Sequence, residues 1–118
     1  MISIINDIKY NDSGLVPTIV QDYNSGDILM FAFSNEEAVR KSINTNIAHF
    51  WSRSRNELWE KGATSGNRLN IVNIYIDCDR DCLLYMVNPD GPACHTNTKS
   101  CFYTDLNNKE REVPLLKT

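Results

Sequence analysis

The chain contains 118 residues, which is enough for one domain with its own hydrophobic core and too few for two ordinary domains. Its 42% hydrophobic and 23% charged residues are typical of a soluble globular protein. A net charge of −3 argues against general binding to nucleic acids or anionic membranes, because such proteins carry a basic excess. Four cysteines are too few for a disulfide scaffold, and no run of about 18 apolar residues predicts a membrane span.

The N-terminus lacks the basic stretch that opens a signal peptide, and Asp7 interrupts the first apolar run. We therefore expect a cytoplasmic protein whose thiols stay reduced. In that setting, cysteines serve as metal ligands or as small buried residues rather than as disulfides.

The first half of the chain predicts a β-hairpin followed by a helix. Residues 15–20 and 28–33 are apolar and flank a turn sequence of Asn, Ser, Gly and Asp. Ser34 is the predicted N-cap, with Glu37 as its capping-box partner. The helix is expected to span 35–44 and to bury one face, formed by Ala38, Val39 and Ile43.

The second half predicts short strands separated by loops. The expected elements are strands at 48–53, 70–78 and 83–87, a polar loop at 55–66 and a turn at 88–91. Several strands with one good helix indicate an α+β fold, which here means a single β-rich domain with one main helix.

Three aspartates occupy every second position around the end of the predicted strand 70–78. If that strand persists, Asp77, Asp79 and Asp81 project from one face, while Cys78 projects from the other. Three carboxylates suit a hard cation such as Mg²⁺ or Ca²⁺. The alternative is a strand that ends in a solvated acidic turn without a metal, and the pattern alone does not separate the two.

Cys94 and Cys101 lie in a polar loop, at a spacing that lets both thiolates bind one tetrahedral Zn²⁺. With Cys78 they supply three ligands and leave a fourth position open to water, as in catalytic zinc sites. A fourth ligand from Cys82 or His95 would close the site and make it structural. Both arrangements fit the spacing, although Cys82 also fits the core side of the next strand.

Residues 47–68 form a basic and aromatic stretch, with four Lys or Arg against two Glu in a chain that is acidic overall. Guanidinium and hydroxyl groups beside indole rings suit a ligand that combines phosphate with a base or ribose. A Walker phosphate loop is absent, so nucleoside triphosphate hydrolysis is not expected. The alternative is a solvated strand and loop with one Trp in the core. The candidate binding residues are Trp51, Ser52, Arg53, Ser54, Arg55, Trp59, Lys61, Thr64 and Ser65.

Six short motifs follow one another along the chain: Trp51-Ser52-Arg53-Ser54-Arg55, Leu58-Trp59-Glu60-Lys61-Gly62, Thr64-Ser65-Gly66-Asn67, Asp77-Cys78-Asp79, Gly91-Pro92-Ala93-Cys94-His95-Thr96 and Ser100-Cys101-Phe102. In this order the sequence resembles the phosphoribosyl-AMP cyclohydrolase family of histidine biosynthesis, over about residues 14–103. The resemblance covers one domain, and residues 107–118 are a polar tail by composition. Many members of that family carry a fused pyrophosphohydrolase domain. Because the sequence ends at Thr118, we expect a stand-alone domain here and the preceding step in a separate polypeptide.

The resemblance further implies a hydrolase that opens the adenine ring of 1-(5-phosphoribosyl)-AMP between N1 and C6, giving phosphoribosyl-formimino-AICAR-phosphate. It implies an intertwined homodimer with one zinc ion per subunit. The implied zinc ligands are Cys94 and Cys101 of one chain and Cys78 of the other. The implied magnesium ligands are Asp77, Asp79 and Asp81.

Roles for single residues follow from the same resemblance as hypotheses. His95 adjoins a zinc ligand and is the candidate for moving a proton from water to the ring nitrogen, with His49 as the weaker candidate. Arg53, Arg55 and Lys61 would clamp the phosphates.

Some positions depart from the family's pattern. Arg80 and Cys82 stand where Gly and Ala are usual, and a cation at position 80 is expected to compete for a carboxylate of the magnesium site. Asn97 stands where Gly is usual, and Asn tolerates a left-handed backbone better than most residues.

Two alternatives without catalysis are a structural zinc module that binds a partner and an acidic Ca²⁺- or Mg²⁺-binding β-domain. The first requires a closed site with four protein ligands. The second leaves the basic and aromatic stretch without a role.

Overall fold

The computed structural model describes residues 2–111, with side chains from residue 5 onward. Residues 112–118, most of the predicted tail, lie outside the described part. The elements in chain order are a 3₁₀ helix (Ile2–Asp7), β1 (Val16–Asp22), β2 (Ile28–Ser34), α1 (Glu36–Thr45), β3 (His49–Ser52), β4 (Glu57–Glu60), β5 (Leu69–Ile76) and β6 (Leu83–Pro89). Neither described helix is long and apolar enough to span a membrane.

The six strands form one sheet in the order β4–β3–β2–β1–β6–β5. β1 and β6 are parallel, and all other neighbours are antiparallel. The sheet curls because the chain before β3 reaches β5: Ile47 bridges to Asn70, and the Ala48 amide donates to the Leu69 carbonyl at 2.9 Å. The predicted hairpin, which is β1 and β2, and the β-rich domain with one main helix are confirmed.

The core lies where the curled sheet meets α1. Phe50 of β3 and Tyr85 of β6 are fully buried, with ring centroids 5.6 Å apart, and Trp59 lies 5.5 Å from Phe50. α1 buries Ala38 and Val39, as its pattern predicts. Each large apolar side chain in such a core contributes about 1.5–3 kcal/mol relative to exposure, so the fold does not depend on cross-links between its cysteines.

α1 begins after a different N-cap from the one predicted. The side-chain oxygen of Asn35, not that of Ser34, accepts a hydrogen bond from the Ala38 amide, at 2.9 Å. Ser34 is the last residue of β2 and is buried, with its Oγ 2.9 Å from Thr18 Oγ1 on β1. The Ser34 prediction was wrong because the sheet uses that hydroxyl.

The predicted loop 55–66 contains the strand β4, which pairs with β3 along its whole length and forms one edge of the sheet. Only Leu58 and Trp59 of its four residues are apolar, and that pattern is too short to indicate a strand. The loop prediction was wrong there because pairing with β3, not a local pattern, makes these residues a strand.

Candidate active site

Cys94 and Cys101 lie in the loop that follows β6, here called the cysteine loop (residues 92–103). The loop turns back on itself through hydrogen bonds from the Asn97 amide to the Cys94 carbonyl (3.0 Å) and from the Cys94 amide to the Thr98 carbonyl (3.2 Å). Asn97 has a φ of 68°, so the expectation that Asn adopts the left-handed backbone here is confirmed. The Cys101 amide donates to the Leu29 carbonyl at 2.8 Å, which fixes this end of the loop to β2.

The Cys94 and Cys101 thiols interact and differ widely in acidity. Burial of Cys94 acts to raise its pKa, but hydrogen bonds from Thr96, Thr98 and Cys101 outweigh it and lower the pKa of Cys94 to about 7. The shortest of these runs from Thr96 Oγ1 to Cys94 Sγ, at 3.0 Å. Desolvation of its sulfur and the adjacent Cys94 raise the pKa of Cys101 to about 11, although the residue as a whole is exposed. The pair therefore offers one thiolate near neutral pH, and a divalent cation would replace the proton on the other.

No third ligand joins this pair within one described chain. Among residues 2–111, the three aspartates are the only group of three or more ligand-type side chains close enough to hold a metal. Cys78 lies exposed in the turn after β5, and Cys82 is half-buried with its thiol 3.8 Å from the Leu83 carbonyl. A closed four-ligand site with Cys82 or His95 does not form among these residues.

Asp77, Asp79 and Asp81 bring their ligand atoms within 4.8 Å of one another, and all three are exposed. The expectation that strand alternation aligns them was wrong: β5 ends at Ile76, and the chain turns, with the Arg80 amide donating to the Asp77 carbonyl at 3.0 Å. Desolvation and the charges of Asp77 and Asp79 raise the pKa of Asp81. Carboxylate oxygens are ligands for hard cations such as Mg²⁺ and Ca²⁺, and these three lie close enough together to share one ion.

Arg80 does not compete for these carboxylates, contrary to the expectation from the sequence. In the described part of the chain it forms no ion pair with either flanking aspartate. Its carbonyl accepts from the Lys9 amide at 2.7 Å, and its Nη1 is buried without a hydrogen-bond partner among the described residues. Its φ of 65° lies in the left-handed region, which explains why Gly suits this position.

A cleft of about 670 Å³, here called the binding cleft, opens between β2, β3, the turn that follows β3, and Trp59 of β4. This volume suits a nucleotide-sized ligand. Six of the nine predicted binding residues line it, together with three residues of β2: the lining consists of Trp51, Ser52, Arg53, Ser54, Arg55, Trp59, Phe31, Ala32 and Phe33. The other three, Lys61, Thr64 and Ser65, lie outside the lining, with Lys61 Nζ 5.8 Å from the Trp59 ring.

Two aromatic residues of the cleft were missed from the sequence. The Arg53 guanidinium lies 4.1 Å above the Phe33 ring, and the Phe31 and Phe33 rings meet edge-on at 5.3 Å. Phe31 is 48% exposed and Phe33 is half-buried, and large apolar residues at alternate positions of this strand were the available signal. The sequence pattern predicts only an apolar strand at these positions.

The two histidines lie in different surroundings. His95 is exposed and directly follows Cys94. His49 is buried in β3, with Nδ1 2.8 Å from the Ile47 carbonyl and Nε2 3.7 Å from Glu60, which also pairs with Arg68 at 2.8 Å. The His49 ring is thus held by protein partners, whereas His95 as a residue is exposed.

Residues 30–103, which include the binding cleft, the acidic turn and the cysteine loop, match the family model described as phosphoribosyl-AMP cyclohydrolase. The chain belongs to the phosphoribosyl-AMP cyclohydrolase family. The resemblance carried by the six motifs is therefore confirmed, and so is the prediction of a hydrolase that serves histidine biosynthesis.

Proteins named phosphoribosyl-AMP cyclohydrolase are similar over nearly the whole chain. One from Clostridium botulinum (strain 657 / Type Ba4) is 55% identical over 104 residues, covering 87% of this chain and 94% of the relative. One from Paracoccus denitrificans (strain Pd 1222) is 48% identical over 106 residues, covering 90% and 88%. One from Cereibacter sphaeroides (strain ATCC 17029 / ATH 2.4.9) is 45% identical over 108 residues, covering 92% and 91%.

Proposed function

We propose that this chain catalyses the zinc-dependent hydrolytic opening of the adenine ring of 1-(5-phosphoribosyl)-AMP at the N1–C6 bond, giving phosphoribosyl-formimino-AICAR-phosphate. The observation that carries the proposal is the Cys94–Cys101 pair. The two thiols interact, which helps to lower the pKa of Cys94 to about 7 and to raise that of Cys101, and a divalent cation between them would bind both as thiolates. Two ligands from one chain leave room for a third protein ligand and for water.

The third ligand in this proposal is Cys78 of a second copy of the chain. Cys78 is exposed and stands apart from the thiol pair of its own chain, so it is available to another subunit. Cys94, Cys101 and the second chain's Cys78 would hold the zinc ion, which would lower the pKa of a bound water and so activate it toward purine C6. His95, exposed beside Cys94, would take the proton of the water and deliver it to the ring nitrogen.

The binding cleft orients the substrate in this proposal. Arg53 and Arg55 bind phosphate by charge-assisted hydrogen bonds, and the contact of Arg53 with Phe33 limits the directions that its guanidinium can take. Trp51 and Trp59 present apolar surface to the base or ribose. Asp77, Asp79 and Asp81 would hold Mg²⁺, which offsets phosphate charge.

An apolar patch beside the cysteine loop supports a homodimer. It consists of Ile19, Ile28, Met30, Phe31 and Phe102, and Phe102 directly follows Cys101. Phe31 and Phe102 are each 48% exposed, and covering such area contributes about 25 cal/mol per Å². A second copy seated on this patch would adjoin the thiol pair, and it would also border the binding cleft, since Phe31 lines both.

The reaction is tested by following ring opening of phosphoribosyl-AMP by its absorbance change, before and after removal of zinc with a chelator and after zinc is restored. We expect turnover that is lost with zinc and returns with it. Cys101→Ala should lose both turnover and bound zinc. Cys82→Ala is the matched control and should keep both, because Cys82 lies outside the proposed ligand set.

The shared site is tested by mixing two inactive variants, Cys78→Ala and Cys94→Ala, after dissociation and reassociation of the subunits. Half of the randomly formed dimers are mixed, and each mixed dimer holds one intact site. The mixture should therefore regain about a quarter of the wild-type rate. A mixture that stays inactive, although mixed dimers form, would exclude a site shared between subunits.

In the zinc-removal experiment, turnover that is unaffected by the chelator would exclude the zinc mechanism.

A further inference from the structure

Lys99 is a buried cation in the cysteine loop, between the two proposed zinc ligands. Its side chain is 5% exposed, and its Nζ lies 2.7 Å from Ser25 Oγ, 2.9 Å from Asp27 Oδ2 and 3.2 Å from Asp22 Oδ2. The Asp22 side chain is fully buried. Its Oδ2 accepts no well-aligned hydrogen bond among the described residues, so its contact with Lys99 is electrostatic. The three partners lie at the turn between β1 and β2, more than seventy residues away in sequence.

The contacts around Lys99 hold both ends of the cysteine loop. On one side, the Lys99 carbonyl accepts a hydrogen bond from the Ala93 amide at 3.2 Å, next to Cys94. On the other side, Ser100 Oγ donates to the Ile28 carbonyl at 2.7 Å, next to Cys101. The Lys99 ammonium therefore ties the segment between the two cysteines to the β1–β2 hairpin.

Stability alone is a weak explanation for this cluster. Taking a lysine and an aspartate out of water is costly, and apolar side chains of similar volume often stabilise a fold as well or better. An ion cluster fixes the position of a side chain more narrowly than an apolar contact does, because an ammonium group between fixed oxygens has few alternative positions. Ligand sites depend on such support from neighbouring residues, and its removal commonly weakens metal binding about 10–100-fold.

We propose that Lys99 is a positioning residue that fixes the separation of the Cys94 and Cys101 thiols through its contacts with Asp22, Asp27 and Ser25. The inference rests on the proposed function, since it assumes that the two thiols bind one metal ion. Lys99 itself touches neither the substrate nor the metal.

The first test compares Lys99→Met with Thr18→Val, each at a temperature where circular dichroism shows it folded. Thr18→Val removes a buried hydroxyl contact elsewhere on β1 and so controls for a general loss of stability. We expect Lys99→Met to bind zinc about 10–100-fold more weakly in competition with a chromogenic chelator. We expect Thr18→Val to bind zinc like the wild type.

The second test measures hydrogen exchange in the metal-free protein and so does not depend on zinc. The Ala93 and Cys101 amides, which bond to Lys99 and Leu29, should exchange about tenfold faster or more in Lys99→Met. In Thr18→Val they should keep their wild-type rates. If Lys99→Met does not fold, Asp27→Asn replaces it, since Asp22 still pairs with Lys99 there, and both effects should appear with smaller size.

Unchanged zinc affinity and unchanged exchange in the variant that folds would overturn the inference, as would equal effects in Thr18→Val. A different result would contradict the proposed function. In that case the wild type would bind zinc no more tightly than Cys101→Ala, whatever the exchange rates show.

Discussion

Two residues with left-handed backbone shape the two turns that carry the proposed metal ligands. Asn97, with a φ of 68°, lies between Cys94 and Cys101, and Arg80, with a φ of 65°, lies between Asp79 and Asp81. Asn visits this region readily because its short polar side chain can bond to nearby backbone. Arg has no such compensation, so the left-handed conformation costs about 1–2 kcal/mol at position 80.

Replacing Arg80 with Gly should therefore stabilise the metal-free protein. We expect Arg80→Gly to raise the free energy of unfolding by about 1 kcal/mol, because relief of the backbone strain exceeds the extra entropy of glycine in the unfolded chain. Denaturant unfolding followed by circular dichroism measures it. Arg80→Ala removes the same guanidinium but keeps the Cβ, so an equal gain in that variant would assign the effect to the buried Nη1 instead.

At the scale of elements, two neighbouring residues at the start of α1 have different roles: Ser34 ends β2, and Asn35 caps the helix. Ser34 and Asn35 both have side chains that can cap a helix. The sheet decides between them, because β2 must extend to Ser34 to pair with Val16 of β1. The same kind of competition ends β5 at Ile76, where the turn to β6 leaves the aspartates outside the strand.

Removal of the cap should destabilise the protein measurably. We expect Asn35→Ala to lower the free energy of unfolding by about 1 kcal/mol, because the Ala38 amide loses its acceptor at 2.9 Å. Asn44→Ala, an exposed change inside the same helix, controls for helix propensity and should leave stability equal or slightly higher. A loss in Asn44→Ala as large as in Asn35→Ala would mean that the cap contributes nothing specific.

At the scale of the whole molecule, the cluster of Lys99 with Asp22 and Asp27 joins the cysteine loop to the far end of the hairpin. Burial acts to raise the pKa of Asp22, but the Asn24 amide, the Lys99 ammonium beside it and the Ser25 amide together hold the pKa below its ordinary value of 3.8. The Lys99 hydrogen bond lowers the pKa of Asp27, with the charge of Arg111 adding slightly to the shift. Both carboxylates therefore contribute stability above their ordinary pKa and lose it as the pH falls through their lowered values.

This linkage predicts how the effect of Lys99→Met on stability depends on pH. The loss of unfolding free energy caused by Lys99→Met should be largest near neutral pH, where both aspartates are charged. This loss should become smaller below pH 3.8, the ordinary pKa of an aspartate, because protonated aspartates carry no negative charge for Lys99 to balance. Denaturant titrations of the metal-free wild type and Lys99→Met across the acid range measure the difference in their unfolding free energies. Other acidic groups contribute equally to both proteins, so their contribution cancels in this difference. A difference that stays constant from neutral pH to about pH 2 would contradict the linkage.

The sequence by itself determined the family, the hairpin and the helix, because these follow from local patterns: motif order, alternation, turn residues and a buried helical face. It also singled out Asp77, Asp79 and Asp81, and six residues of the binding cleft. Only the tertiary structure decided that β4 is a strand, that Asn35 caps α1, that a turn gathers the aspartates and that Phe31 and Phe33 wall the cleft. It also decided that Lys99 is buried against Asp22 and Asp27. All of these features have the same physical reason. Each depends on a partner that is distant in the chain, or on two structures that compete for one backbone group, and such dependence leaves no local pattern in the sequence.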